Sequence, residues 1–179
     1  MKNKVLKVLL SFSLLVIVGG FSGCGLKYSF SGASTAAKTI QIDQFFNNTD
    51  LGPANLGPTF TNKLKDYYQR NSSLKVVPQD GELQIDGTLT TYSVTNIAPV
   101  SSGSGTDQTS VAALSRLTIA VSANYIDNNE PKNSFKNKSF SFYADFPNEQ
   151  NLSTVQEDLE KKIFEQILMD IFNATVANW

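Results

Sequence analysis

The sequence predicts an α+β fold: a two-layer sandwich in which a mostly antiparallel sheet of about four strands carries two helices on one face. Three observations lead there. Leu117, Ile119, Val121, Ala123 and Tyr125 occupy every second position, as do Phe140, Phe142, Ala144 and Phe146, with a polar turn between the two runs. Near the C-terminus, Leu159, Ile163, Ile167 and Ile171 recur at one-turn spacing, and Phe164, Leu168 and Phe172 widen the stripe until it needs a sheet-sized apolar surface to lie on. The order strand, helix, three or four strands, helix is that of a two-layer sandwich. With 179 residues, 41% hydrophobic and 17% charged, the chain has enough apolar material for one domain with a core.

The first 23 residues differ in kind from the rest. Lys2, Lys4 and Lys7 form a positive start, an apolar run extends from Val8 to Val18, and Gly19, Gly20, Ser22 and Gly23 are small. That succession has the form of a secretory signal, and its apolar run is shorter than the ~20 residues a spanning helix needs. Residues 1–23 are therefore expected to be a lipoprotein signal peptide and residues 24–179 a single domain. Their removal takes away three lysines and no acid, leaving 12 basic and 16 acidic residues and a formal charge of −4. Nucleic acid is not an expected partner of such a chain.

Ile40 and Ile42, with Phe45 beyond them, predict a strand over residues 39–46. Residues 47–58 (NNTDLGPANLGP) are rich in turn formers, and Phe60, Leu64, Tyr67 and Tyr68 then follow a helical period from about Gly57 to Arg70. Leu74 to Val77 begins another strand, and PQDG at 78–81 turns it. In the next segment Leu83, Ile85 and Leu89 are odd-numbered whereas Tyr92 and Val94 are even, so an extra residue is expected near Thr90 or Thr91. Residues 99–110 (PVSSGSGTDQTS) read as a flexible loop. The alternating runs at 117–126 and 140–146 form a hairpin across DNNEPKN. Ser153 and Gln156 have the spacing of a capping box for the last helix.

Chemistry is constrained by what the chain lacks. There is no histidine, which excludes Ser-His-Asp and Cys-His nucleophiles and the usual zinc sites; no cofactor is expected. Asp80, Glu82 and Asp86 could be imagined as paired carboxylates, but Asp80 is in a turn, and Glu82 and Asp86 have the parity opposite to Leu83 and Ile85. The oxygens of Asp127, Asn128, Asn129 and Glu130 lack the glycine and closing glutamate of an EF-hand loop, so a plain hairpin turn is the simpler account. Lys136 and Lys138 share parity with Phe140 and Phe142, and Lys132 is close in sequence. Ammonium groups beside rings on a protruding ribbon suit an anionic amphiphile such as a phosphorylated glycolipid, through charge to phosphate and ring to acyl chain. The same lysines also serve to keep the hairpin end soluble.

Cys24 is the only cysteine, so an internal disulfide is impossible. The sequence FSGC resembles a lipobox, the bacterial pattern in which the cysteine is acylated and becomes the new N-terminus; Phe21 stands where leucine is usual. Acyl chains contribute ~0.8 kcal/mol per buried methylene, so two or three would hold the protein on a membrane. Cys24-Gly25, then YSFSG at 28–32, IQIDQFFNN, a helix ending LKDYYQRN, a strand pair starting LKVVPQDGELQIDGTL and a closing helix together resemble LptE, the lipopolysaccharide-assembly lipoprotein family, in its Bacteroidetes-type form. The resemblance covers essentially all of residues 24–179. It implies a non-enzymatic protein, anchored by lipid to the periplasmic side of the outer membrane, that plugs an LptD-like β-barrel and helps assemble lipopolysaccharide. Only Cys24 is carried over by position; a lipopolysaccharide contact at Lys132, Lys136 and Lys138 rests on the patch alone. The alternative is a periplasmic ligand-binding or scaffold lipoprotein unrelated to lipopolysaccharide.

Overall fold

The structure is a computed structural model that describes residues 35–97 and 113–177. The signal at 1–23, Cys24, the 28–32 segment and the loop at 99–110 lie outside the described residues. Among the described residues, six strands and two helices follow one another as β1 (Thr39–Ile42), β2 (Phe46–Asn47), α1 (Leu56–Asn71), β3 (Lys75–Val77), β4 (Leu83–Ile97), β5 (Leu114–Asp127), β6 (Phe135–Pro147) and α2 (Leu152–Thr175). A short 3-10 turn, Pro131–Asn133, joins β5 to β6.

The fold is α+β, and its sheet is mixed rather than mostly antiparallel. Strand order is β3-β1-β4-β5-β6, with β2 also beside β4. β4, β5 and β6 pair antiparallel, whereas β1 is parallel to both β3 and β4, and β2 is parallel to β4. The parallel half has a topological cause. α1 carries the chain back across the sheet between β1 and β3, and a strand that returns through a helix runs in the direction it started. Residues 78–82 then cross β1, where Gly81 lies so near Gln41 that an added Cβ would come within 2.8 Å of Gln41 Cβ.

Alternation decides what each strand buries. Leu83, Ile85 and Leu89 of β4 and Leu117, Ile119, Val121 and Tyr125 of β5 are buried on the helix side. The expected extra residue in β4 is present: the register with β5 shifts between Leu89 and Thr91, which returns Tyr92 to the core side. Against this surface lie Phe60, Leu64 and Tyr68 of α1 and Leu159, Ile163, Phe164, Ile167, Leu168 and Ile171 of α2. Each such side chain stabilises the fold by roughly 1.5–3 kcal/mol relative to exposure.

Phe45, between β1 and β2, ties three elements together. Its N–H donates to Thr61 Oγ1 at 2.9 Å, and that hydroxyl donates to the Gly57 carbonyl at 2.8 Å, fixing the first turns of α1 to the strand. Its ring meets Phe60 at 5.1 Å and lies over Gly87 of β4, where an added Cβ would come 2.5 Å from Phe45 Cε1. At the other end of the helices, the Tyr68 hydroxyl is 2.6 Å from Thr175 Oγ1, which itself donates to the Ile171 carbonyl at 2.9 Å. Burial pushes the Tyr68 phenol well above its ordinary pKa, so it stays a neutral donor.

α2 starts two residues earlier than the capping-box reading places it. Asn151 is the N-cap, its side-chain oxygen accepting from the Ser153 N–H at 3.1 Å, while Gln156 donates along the helix to Glu160 at 2.8 Å. Asn151→Ala is expected to lower stability by about 1 kcal/mol, read from urea denaturation, and Ser153→Ala by clearly less. Gly87→Ala must displace Phe45 and is expected to cost roughly 1–3 kcal/mol in the same measurement.

Candidate functional site

Among the described residues, the helices cover one face of the sheet and leave the other open. The pairing register arranges the open face in rows: Gln84 with Ile126, Asp86 with Asn124, Phe46 with Thr88, Ser122 and Ser139, Thr91 with Ala120 and Ser141, Ser93 with Thr118 and Tyr143, and Thr95 with Arg116 and Asp145. Hydroxyls and amides dominate. Asp86 accepts from Asn124 Nδ2 at 2.7 Å. Glu82, near one end of the sheet, accepts from the Lys38 N–H at 2.9 Å and from Asn129 Nδ2 at 3.2 Å. The acids imagined as a carboxylate pair are thus structural groups, and Asp80 is an exposed turn residue with φ 55°.

Three apolar side chains interrupt this polar surface. Phe46 is 68% exposed, Tyr143 46% and Ile126 39%. Tyr143 is stacked on a paired arginine. The Arg116 guanidinium carbon is 3.6 Å from its ring centroid, and the same guanidinium binds both Asp145 oxygens, at 2.7 and 2.9 Å. The stack leaves about half of the Tyr143 side chain in solvent on the open face. The Asp145 carboxyl is held below its ordinary pKa by its hydrogen bonds from Arg116.

The hairpin end separates the three candidate lysines. Register shifts between Ala123 and Tyr125, and Asn137 takes φ 51° with its N–H donating to Asn124 Oδ1 at 2.9 Å. This second irregularity puts Phe135 in register with Tyr125 and Lys138 in register with Ala123, both on the helix side. Lys136, next to Phe135, falls on the opposite side by alternation. The shared parity of Lys136 and Lys138 is therefore broken by the intervening bulge. Lys138 Nζ lies 5.1 Å from the Phe135 centroid and 5.6 Å from that of Phe140. Lys132 sits in the 3-10 turn, 3.4 Å from Glu130. Phe135 was not among the expected site residues, because nothing in its own neighbourhood of the sequence marks the side it faces.

In the turn itself, the buried Asp127 is occupied by the backbone, accepting from the N–H groups of Asn129 at 2.9 Å and Glu130 at 2.8 Å. No group of three or more metal-ligating side chains is assembled among the described residues. Among the same residues, no helix is long and apolar enough to cross a membrane.

The open, hydroxyl-rich sheet face thus carries exposed Phe46 and Tyr143, and two helices back its other side. The lipopolysaccharide-assembly family LptE matches residues 37–175, and the chain belongs to that family. No curated protein sequence matches it. Its fold is similar to that of the hypothetical protein CT253 from Chlamydia trachomatis, with a TM-score of 0.52 at 12% identity, covering 80% of this chain and 100% of that one. An uncharacterized lipoprotein B from Nitrosomonas europaea gives a TM-score of 0.48 at 16% identity over 83% of this chain and 91% of its own.

The Arg116–Asp145 pair has a pH signature. Because folding lowers the Asp145 pKa, its stabilisation is present above the unfolded carboxylate value and is lost as pH falls through the folded one. Urea midpoints measured from neutral to strongly acidic pH should therefore fall less steeply for Asp145→Asn than for the parent chain.

Proposed function

We propose that this protein is an outer-membrane lipoprotein, anchored on the periplasmic side through acylated Cys24 after removal of residues 1–23. Residues 24–179 then form the one domain, which seats in the lumen of an LptD-like β-barrel and assists transport and assembly of lipopolysaccharide without catalysing a reaction. The observation that carries this reading is the open sheet face. The inner wall of a large barrel is polar, and a flat surface of Ser, Thr, Asn and Gln side chains can exchange its water hydrogen bonds for those of such a wall. Phe46 and Tyr143, on opposite sides of that surface, supply apolar anchors, and Arg116 and Asp145 neutralise one another before contact. Membership of the lipopolysaccharide-assembly family supports the same reading.

The lysines give a place for the glycolipid. Lys138, above two rings, has charge for a phosphate and apolar surface for an acyl chain, whereas Lys136 and Lys132 contribute charge from other sides of the ribbon.

Mild detergent extraction of the full chain should recover a large β-barrel at one-to-one ratio; a solitary lipoprotein would overturn the plug reading. Phe46→Ala combined with Tyr143→Ala should lower recovery of the barrel severalfold. Lys138→Glu should weaken binding of purified lipopolysaccharide by about tenfold, equivalent to ~1.4 kcal/mol, and Lys136→Glu by less. Equal affinities for both variants and the parent chain would return these lysines to a solubility role.

A further inference from the structure

The two edges of the sheet meet solvent differently. β3 is three residues long and opens on Lys75, and shortness and edge lysines both blunt an edge against pairing. β6, at the other end of the strand order, runs for 13 residues from Phe135 to Pro147. Among the described residues only β5 pairs with it, so its outer backbone groups have no strand beside them. Lys136, Asn137 and Lys138 guard its beginning, where the bulge breaks the register. From Ser139 to Phe146 the sequence SFSFYADF has no lysine and no proline, and its one charge, Asp145, is already bound by Arg116. Unpaired N–H and C=O groups along such a stretch are a template for another strand.

Alternation restricts which strand fits. Ser139, Ser141, Tyr143 and Asp145 face the open side, and Phe140, Phe142, Ala144 and Phe146 the helix side. A copy of β6 laid antiparallel along this edge keeps both faces matched when Ser141 meets its own equivalent. Phe140 then falls opposite Phe142 of the copy, twice by symmetry, against a side chain that is 37% exposed in the single chain. Ser139 falls opposite Tyr143, also twice, and Lys138 opposite Ala144. The open-side position that Lys136 and Asn137 share through the bulge falls opposite Asp145, so unlike charges meet. Centring the pair on Phe140 or Phe142 instead also keeps the faces, but takes Lys136 away from Asp145. Aromatic pairs and opposite charges directly across a strand pair favour it, and this register opposes no like charges.

We propose that two copies of this chain pair through β6, antiparallel and two-fold symmetric about Ser141, and so join their sheets into one. The pairing belongs to the chain free of a barrel and does not depend on the plug reading.

The test begins with the full chain purified in mild detergent away from any barrel, where sedimentation at rising protein concentration should show monomer passing to dimer. Ser141→Lys sets two ammonium groups against each other at the symmetry axis and should raise the dimer dissociation constant at least about tenfold. Ser141 is exposed, and a urea midpoint equal to that of the parent chain verifies folding. Ser141→Cys places two thiols on directly opposed residues, whose Cα atoms are ~4.5–5.5 Å apart, within disulfide reach. Mild oxidation of the detergent extract should link the two introduced cysteines. Ser139→Cys should not form this link, because equivalent residues there are four positions apart along the pairing, ~13 Å. The parent chain, whose only cysteine is Cys24, is the control. A parent chain that stays monomeric at every concentration, equal cross-linking from positions 139 and 141, or a link from position 141 to a barrel instead of a second copy would each overturn the pairing.

Discussion

Phe45 is held on four sides, and the helix layer is positioned through it. Its ring needs the empty space above Gly87, its carbonyl needs the empty space beside Gly57, its amide needs the Thr61 hydroxyl, and its edge needs Phe60. Two of these conditions are absences of a side chain and two are specific contacts. Together they fix how high α1 rides above the sheet. α2 is in turn located against α1 through Phe60 and Phe164, whose centroids are 5.2 Å apart, and through the Tyr68–Thr175 hydroxyl pair. Close-packed interiors pass displacement from neighbour to neighbour, so a change at Phe45 reaches α2 through Phe60 and Phe164.

The antiparallel half of the sheet was legible because its information is local. Leu117 to Tyr125 and Phe140 to Phe146 state their own faces, and the parity change between Leu89 and Tyr92 states the bulge between them. The parallel half was legible as strands but not in its direction. β1 has four residues and β3 three, and their pairing depends on where α1 returns the chain. Asn151 and Ser153 illustrate a different limit. Both are good cap residues, and the choice between them is made by the path on which the chain leaves β6.

The candidate site divides in the same way. The lysines near the hairpin were visible as charges, but their grouping needed the register at Asn137. Lys-Asn-Lys-Ser carries no apolar alternation that would betray an inserted residue. The packing of α1 on α2 was less visible still, since Lys63 and Lys161, which line one groove between them, are nearly a hundred positions apart. The open sheet face was half legible: its Ser and Thr content could be counted, yet Phe46 reads in sequence as a neighbour of Phe45 rather than as its opposite.

The left-handed turn of Asn137 has a consequence for what the hairpin end can grasp. A regular ribbon would present Lys136 and Lys138 as two prongs on one side, a fork for a flat anionic surface. With the backbone twisted between them, the prongs point apart, and a single anion reaching both must straddle the strand. The tip is therefore better suited to an elongated molecule lying across it than to a sheet of headgroups lying against it.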